Sequence, residues 1–286
     1  MTEPSSSHTS TEGRSETEPV PVRRDWLAGR KSSRSPRSRA LRTYLLDADD
    51  ELAARFDVRT RLAVRQGTTV RVVTAEIGEC ELAQVLERVE GGLGLLVLDG
   101  LIAHETRLGG RVAAELLGAG DLVATARPRD EAMLDPSDTW RALWPSRLGL
   151  LDAEFSERAR PWPQIWDELG GRSARHAGDM ACVRAISGQP RLEVRLDLLF
   201  WHLAERWGRV EPGGIRLTLP LTHRLLGELV AAERPSICHA LGRLAHAGLV
   251  TGPTGDWHLV GACHEHLDAL LDHPVRIEPH STERGS

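Results

Sequence analysis

Between Thr222 and Arg243 the chain sets hydrogen-bond donors at helical spacing. Arg234, Ser236, His239 and Arg243 follow one another at 2-, 3- and 4-residue steps. That places them on the solvent side of a helix whose buried side is Ile237, Leu241, Leu244 and Ala245. The chemistry open to such a row is recognition, because the first turn of a helix laid in a major groove meets base edges and phosphates. Arg234 is the leading base reader: a guanidinium pairs in bidentate fashion with guanine O6 and N7, a contact worth about 1–3 kcal/mol. Ser236 and His239 would read or support neighbouring bases. Thr222, His223 and Arg224, just upstream, would hold phosphates and set register. Arg216, Arg224, Arg234 and Arg243 all fall on this contact side.

Other chemistry-bearing residues form weaker patterns. Cys263, His264, Glu265, His266 and His273 are of the types that bind zinc, but their spacing matches no familiar finger, and no metal site is read there. Cys80 beside Glu79, and His104 beside Glu105, are residue types found around haem, with no spacing to support a cofactor; none is expected. The four cysteines, Cys80, Cys182, Cys238 and Cys263, form no CxxC pair, which argues against a disulfide framework, a zinc ribbon and an iron–sulfur cluster. No nucleophile–base pair, GxSxG elbow or phosphate-cradling glycine loop occurs, so the chain reads as a non-enzyme. It has no apolar run of about 18 residues and no apolar signal core, so a cytoplasmic protein with no membrane partner is expected.

The elements that must position the donors are legible around them. Thr222 can cap a first helix, and Leu225, Leu226, Leu229 and Val230 give it one apolar face. The face breaks at Ala231-Ala232-Glu233. Pro235 suits a first helical position because it donates no N–H, and Gly248 ends the second helix. Leu249-Val250-Thr251 and Trp257-His258-Leu259-Val260 flank a turn and read as two short strands, the wing of a winged helix-turn-helix.

On these residues, the stretch from about Arg191 to Gly261 resembles the DNA-binding domain of the Crp/Fnr family of transcriptional regulators. The match runs without a gap from Leu221 to Leu244: Thr222 leads the first helix, Gly227 is followed by Leu229 and Val230, and Glu233-Arg234-Pro235-Ser236 opens the recognition helix. Leu198 to Gly208 looks like the helix that leads into this domain in actinobacterial members. Leu196, Leu199, Phe200, Leu203 and Trp207 share one face of it and read as core. Arg209 to Pro220 holds short strands around Pro212-Gly213-Gly214.

The resemblance implies an α+β architecture with an N-terminal jelly-roll β-barrel sensor, a long dimerisation helix and a C-terminal winged helix-turn-helix. The expected divisions are a disordered tail over 1–40, a cyclic-nucleotide-binding-like β-roll over 41–155, the dimerisation helix over 156–187, the DNA-binding domain over 188–262 and a C-terminal tail over 263–286. The tail at 1–40 is too poor in apolar residues to offset chain entropy. In the roll, Thr68–Thr74 and Leu93–Ala103 read as strands, the latter with a hairpin turn at Asp99-Gly100. Arg107–Val112 is a further candidate strand, followed by Ala113–Leu117, the turn Gly118-Ala119-Gly120-Asp121, and closing strands over Trp140–Pro145 and Ser146–Leu151. Val123–Ala132 stands where the family's phosphate-binding cassette should be and lacks both the Gly-Glu and the Arg-Ser/Thr-Ala. Arg127 or Arg129 could meet a phosphate, but Asp130 and Glu131 beside them would repel it. A cyclic nucleotide is therefore disfavoured and the effector is unknown. Pro163 opens the longer helix, with a stripe of Ile165, Trp166, Leu169, Ala177, Met180, Ala181, Val183, Arg184 and Ile186 interrupted by Gly170-Gly171. In the family this helix forms the dimer seam, so a homodimer is implied. The last stretch, from Ala262, offers one weak helical turn and a polar end.

Charge tempers the reading. The 286-residue chain carries a formal net charge of −5. Over 188–262, eight arginines face seven carboxylates, although phosphate neutralisation supplies much of nonspecific affinity. The expected function is a homodimeric, sequence-specific regulator on a palindromic double-stranded DNA operator, with a degenerate effector domain and RNA polymerase as a further candidate partner. The alternative is a ligand-sensing or protein-interaction module whose helix-turn-helix packs on a protein.

Overall fold

Residues 41–87, 89, 91–123, 133, 134 and 136–272 are described in the computed structural model. The expected disordered tail at 1–40, the cassette residues 124–132 and the polar end with His273 lie outside the described residues.

The N-terminal half is one seven-stranded antiparallel sheet with short helices along it. The order is β1 (Arg42–Tyr44), α1 (Leu45–Ala48), α2 (Asp50–Ala53), α3 (Val58–Gly67), β2 (Thr69–Ala75), β3 (Gly78–Cys80), α4 (Leu82–Glu87), β4 (Gly94–Leu108), β5 (Arg111–Gly118), β6 (Leu122–Val123) and β7 (Ser137–Leu151). The strands pair β1-β2-β7-β4-β5, with β3 on β7 and β6 on β4. The closing segments expected over 140–151 form a single strand, β7. The early helices were not foreseen in the sequence. Their caps are nevertheless ordinary: Asp49 accepts from Leu52 N, and Asp57 from Arg59 N and Thr60 N, each satisfying otherwise free first-turn donors.

Two turn assignments need correction. Asp99-Gly100 is not a hairpin turn, because β4 runs straight through it. Arg107–Val112 is not a strand but the true hairpin, with Gly109 and Gly110 both at left-handed φ between β4 and β5. What Gly100 makes instead is an irregularity in the β4–β7 register. Its φ is +101°, and an added Cβ would lie 2.1 Å from Ser146 Oγ, so only glycine fits. The bulge reverses the alternation of β4. Before it, Leu95 and Val97 face the roll interior while Leu96 and Leu98 pack with the flanking helices. After it, Ile102 faces the interior while Leu101 and Ala103 join the core of the C-terminal half. Glu105 is thereby turned outward and His104 inward.

α5 (Ala153–Ala159) and α6 (Pro163–Ser187) follow. α6 runs unbroken through Gly170-Gly171. Ile165, Leu169 and Ile186 of its expected stripe are buried, and Ala177, Ala181 and Arg184 are exposed. A buried arginine ties α6 to the short helices: Arg172 meets Asp49 at 2.5 Å and Glu168 at 3.0 Å. Burial would raise the Glu168 carboxyl, but Arg172, Arg55 and Arg175 outweigh it and hold it at about 2. Such a network fixes the seating of the helix more than it adds net stability.

The C-terminal half comprises α7 (Leu192–Trp207), β8 (Gly208–Glu211), β9 (Gly214–Leu217), α8 (His223–Leu229), α9 (Arg234–His246), β10 (Val250–Thr251), β11 (Trp257–Val260) and α10 (Cys263–Asp272), with a sheet ordered β10-β11-β9-β8. Leu196, Leu199, Phe200 and Leu203 of α7 are buried as expected, in one core with Leu226, Ile237, Leu244 and Leu259. Truncating one such leucine to alanine costs about 2–5 kcal/mol. The weak turn expected after Ala262 is corrected to a ten-residue helix, α10, whose Leu270 and His266 are buried against the domain.

Candidate nucleic-acid interface

α8, a tight turn and α9 form the helix-turn-helix. Thr222 caps α8, its Oγ1 accepting from Leu225 N at 3.2 Å. Leu225, Leu226, Leu229 and Val230 are all buried. The turn closes on Gly227: Ala232 N donates to Gly227 O at 2.8 Å, and a Cβ at Gly227 would lie 2.5 Å from Ala232 O. Ala231 sits at φ 55°, a left-handed conformation costing about 1–2 kcal/mol outside glycine, which the two packed helices hold in place.

α9 begins at Arg234 with Glu233 as its N-cap, so Pro235 is the second helical residue. Its buried side is Ile237, Ala240, Leu241 and Leu244. Ala245 is exposed, a correction that follows from the wheel, on which Ala240 lies between Ile237 and Leu244 while Ala245 falls at the edge. Arg234, Pro235, Ser236, His239 and Arg243 are all exposed. They do not share one face, however. At about 100° per residue, Ser236, His239 and Arg243 cluster, while Arg234 lies roughly opposite Arg243 and lines a cleft of about 780 Å³ between α8, α9 and the β4–β5 hairpin.

Three of the four expected contact arginines hold carboxylates. Arg216 meets Asp256 of the wing through Nε at 2.7 Å and Nη2 at 2.5 Å. Arg243 is paired with Glu193 of α7. Arg224 donates to Glu228 at 2.7 Å and, across to the roll, to Glu105 Oε2 at 2.8 Å. Glu105 is buried and also meets Arg141 Nη2 at 2.9 Å. A second link joins Arg111 of β5 to the cap residue Glu233 at 2.9 Å. Among the described residues, Arg234 has no carboxylate within 4 Å. His223 Nδ1 lies 3.1 Å from Cys238 Sγ, and its Nε2 3.4 Å from Thr254 Oγ1. The partners Glu105, Glu193 and Asp256 carried no signal in the sequence, since each lies 40 to 119 residues from its arginine.

The metal-type residues part company. His266 is buried, with Nδ1 2.6 Å from Asp197 Oδ1 and Nε2 2.5 Å from Val260 O, whereas His264 is exposed. Among the described residues no three His, Cys, Asp or Glu side chains converge as a metal site. Cys80 is half-buried on β3, and His104 is stacked on Trp140 with ring centroids 3.9 Å apart.

No protein-family model matches the chain, and no curated protein matches it. Solved structures do. A CooA mutant from Carboxydothermus hydrogenoformans aligns with TM-score 0.59 at 14% identity, covering 79% of this chain and 99% of that one. A cyclic nucleotide-binding domain containing protein from Listeria monocytogenes aligns with TM-score 0.55 at 14% identity, covering 76% and 97%. OCPA-complexed CprK aligns with TM-score 0.50 at 14% identity, covering 73% and 94%. The fold is of the Crp/Fnr type. Within this Crp/Fnr-type fold, sheet, long helix and helix-turn-helix follow in the order expected from the sequence, and no helix among the described residues is long and apolar enough to cross a membrane.

Proposed function

We propose that the chain is a transcription regulator that binds a palindromic operator in double-stranded DNA as a homodimer. The observation that carries this reading is the exposed first turn of α9, where Arg234, Pro235, Ser236 and His239 stand free on a capped, tightly turned helix-turn-helix. Arg234 is the base reader, Ser236 and His239 support it, and Thr222, His223 and Arg224 grip phosphates. Arg243 serves there only once it leaves Glu193. The exposed small residues of α6, Ala174, Ala177 and Ala181, suit close approach of a second α6, and two α9 helices one DNA turn apart read a palindrome. A cytoplasmic location and contact with RNA polymerase accompany the reading. The divisions follow the elements, with the roll ending near residue 155 and the DNA-binding domain beginning near 188.

In the arrangement described, Arg224 is engaged by Glu105, so the DNA-bound form requires that pair to open. The alternative, a helix-turn-helix that packs on a protein partner, draws support from the arginines already paired within the chain. Duplex affinity measured between about 50 and 200 mM salt separates the two. The regulator gives a steep fall, with a log–log slope of about −0.9 per phosphate contact. A folded protein with no duplex affinity even at low salt contradicts it.

A further inference from the structure

A second set of polar groups lies inside the roll. Glu115 of β5 accepts from His104 Nδ1 through Oε1 at 2.7 Å, while its Oε2 lies 3.3 Å from His176 Nε2 of α6. His104 Nε2 is 3.2 Å from Asp138 Oδ1 of β7, but neither it nor Glu115 Oε2 completes a hydrogen bond. These groups border a cavity of about 430 Å³ whose apolar wall includes Leu117, Val123 and Trp140. That size suits a small organic ligand, and apolar walls with a few convergent polar groups are the usual form of such sites.

The charge of the cavity selects the ligand. Its lining contains three carboxylates, Glu87, Glu115 and Asp138, and among the described residues no arginine or lysine. A phosphate would meet repulsion with no counterion. What neutralises the site when empty is its own imidazoles. Burial would raise Glu115, but His104 and His176 outweigh it and hold the carboxyl at about 2. Burial would lower His104, yet Glu115 and Asp138 hold it above its usual range; His176 is raised chiefly by Glu115, with Asp121 and Asp179 adding.

We propose that this cavity binds a small organic cation, a primary amine on an apolar or aromatic body, with the ammonium between Glu115 and Asp138 and the body against Leu117, Val123 and Trp140. The ammonium takes over the charge that an imidazolium supplies, so binding expels a proton from His104 or His176 and tightens as pH rises from about 6 to 8. His104 and its neighbour Glu105 point to opposite sides of β4, so occupancy bears on the strand that holds Arg224. That consequence rests on the DNA-binding reading; the binding itself does not.

The test is calorimetry and thermal melting of the full chain with phenethylamine, tyramine and tryptamine, against phenylacetate, indole-3-acetate and 3′,5′-cyclic AMP as anionic controls. The expected result is saturable binding of at least one amine, with a raised melting temperature, a binding heat that varies with buffer ionisation enthalpy because protons are released, and no effect of the anions. Asp138→Asn, which removes a half-exposed carboxylate, should cost about tenfold or more in amine affinity. Glu115→Gln should cost at least as much and is read only if it melts cooperatively. Binding of the anions, absence of any amine effect at about 10 mM, or protection by zinc ions in place of amines would each overturn the proposal. DNA is absent from these measurements, so their failure leaves the regulator reading standing.

Discussion

Replacing Glu105 with glutamine should tighten DNA binding. Glu105 is buried and sits 2.8 Å from Arg224, whose side chain is 51% exposed. Solvent on the arginine side screens the pair, so its worth is set by the exposed range of about 0.2–1 kcal/mol. The buried carboxylate puts it at the upper end, about 1 kcal/mol. If DNA binding requires Arg224 to leave Glu105, removing that charge shifts affinity about fivefold per protomer and about thirtyfold for a dimer in which both pairs must open. The assay is anisotropy of a labelled duplex at fixed salt, with melting curves to confirm that Arg141, the other partner of Glu105, has not unseated β4. Arg224→Ala serves as the counter-experiment: it also opens the pair but removes a phosphate grip, so it should not tighten binding. Unchanged or weaker affinity in a well-folded Glu105→Gln protein would refute the reasoning.

Other outcomes follow from the same geometry. Arg234→Ala should lower specific DNA affinity by about 1–3 kcal/mol, roughly 5- to 150-fold, with the protein still folded; an unchanged site preference in library selection would remove Arg234 from its role. Ala181→Arg on the exposed face of α6 should convert a dimer to monomer in analytical ultracentrifugation, and a dimer that persists would place the seam elsewhere. Gly100→Ala should destabilise by about 2–4 kcal/mol through left-handed strain and the clash with Ser146, read as a lower midpoint in urea. His266 faces acceptors with both ring nitrogens. Burial alone would lower its pKa, but Asp197 and the Val260 carbonyl raise it above the ordinary 6.5. Its contribution is therefore complete below about pH 6.5 and is lost as pH rises through the raised value. Melting temperature should fall over that window and fall less in His266→Ala.

The helix-turn-helix was the most legible part of the chain because its signals are local. The Thr222 cap, the apolar steps of both helices and the left-handed Gly248 all act within a few residues, and the structure has each of them. The roll was less legible. Asp99-Gly100 has the composition of a hairpin turn, but Ser146, far along the chain, decides its geometry by packing against the glycine. Arg107–Val112 carries its turn in Gly109-Gly110, a signal present in the sequence that strand propensity in the flanking residues obscured. The short helices α1 to α3 announce themselves only through the caps Asp49 and Asp57, as four- to ten-residue segments show too little periodicity to stand out. At the interface, residue type identified the arginines but not their state. Whether Arg224, Arg216 and Arg243 are free depends on Glu105, Asp256 and Glu193, which only the fold brings to them. The histidine–carboxylate cavity is distributed over β4, β5, β7 and α6 and was invisible for the same reason.

The central claim is best tested by selecting binding sites from a random duplex library with the purified full chain at about physiological salt. The account predicts a recovered palindrome with half-sites about one helical turn apart, lost or broadened when Arg234 is replaced. A folded dimer that enriches no motif, both alone and as the Glu105→Gln variant, would contradict it.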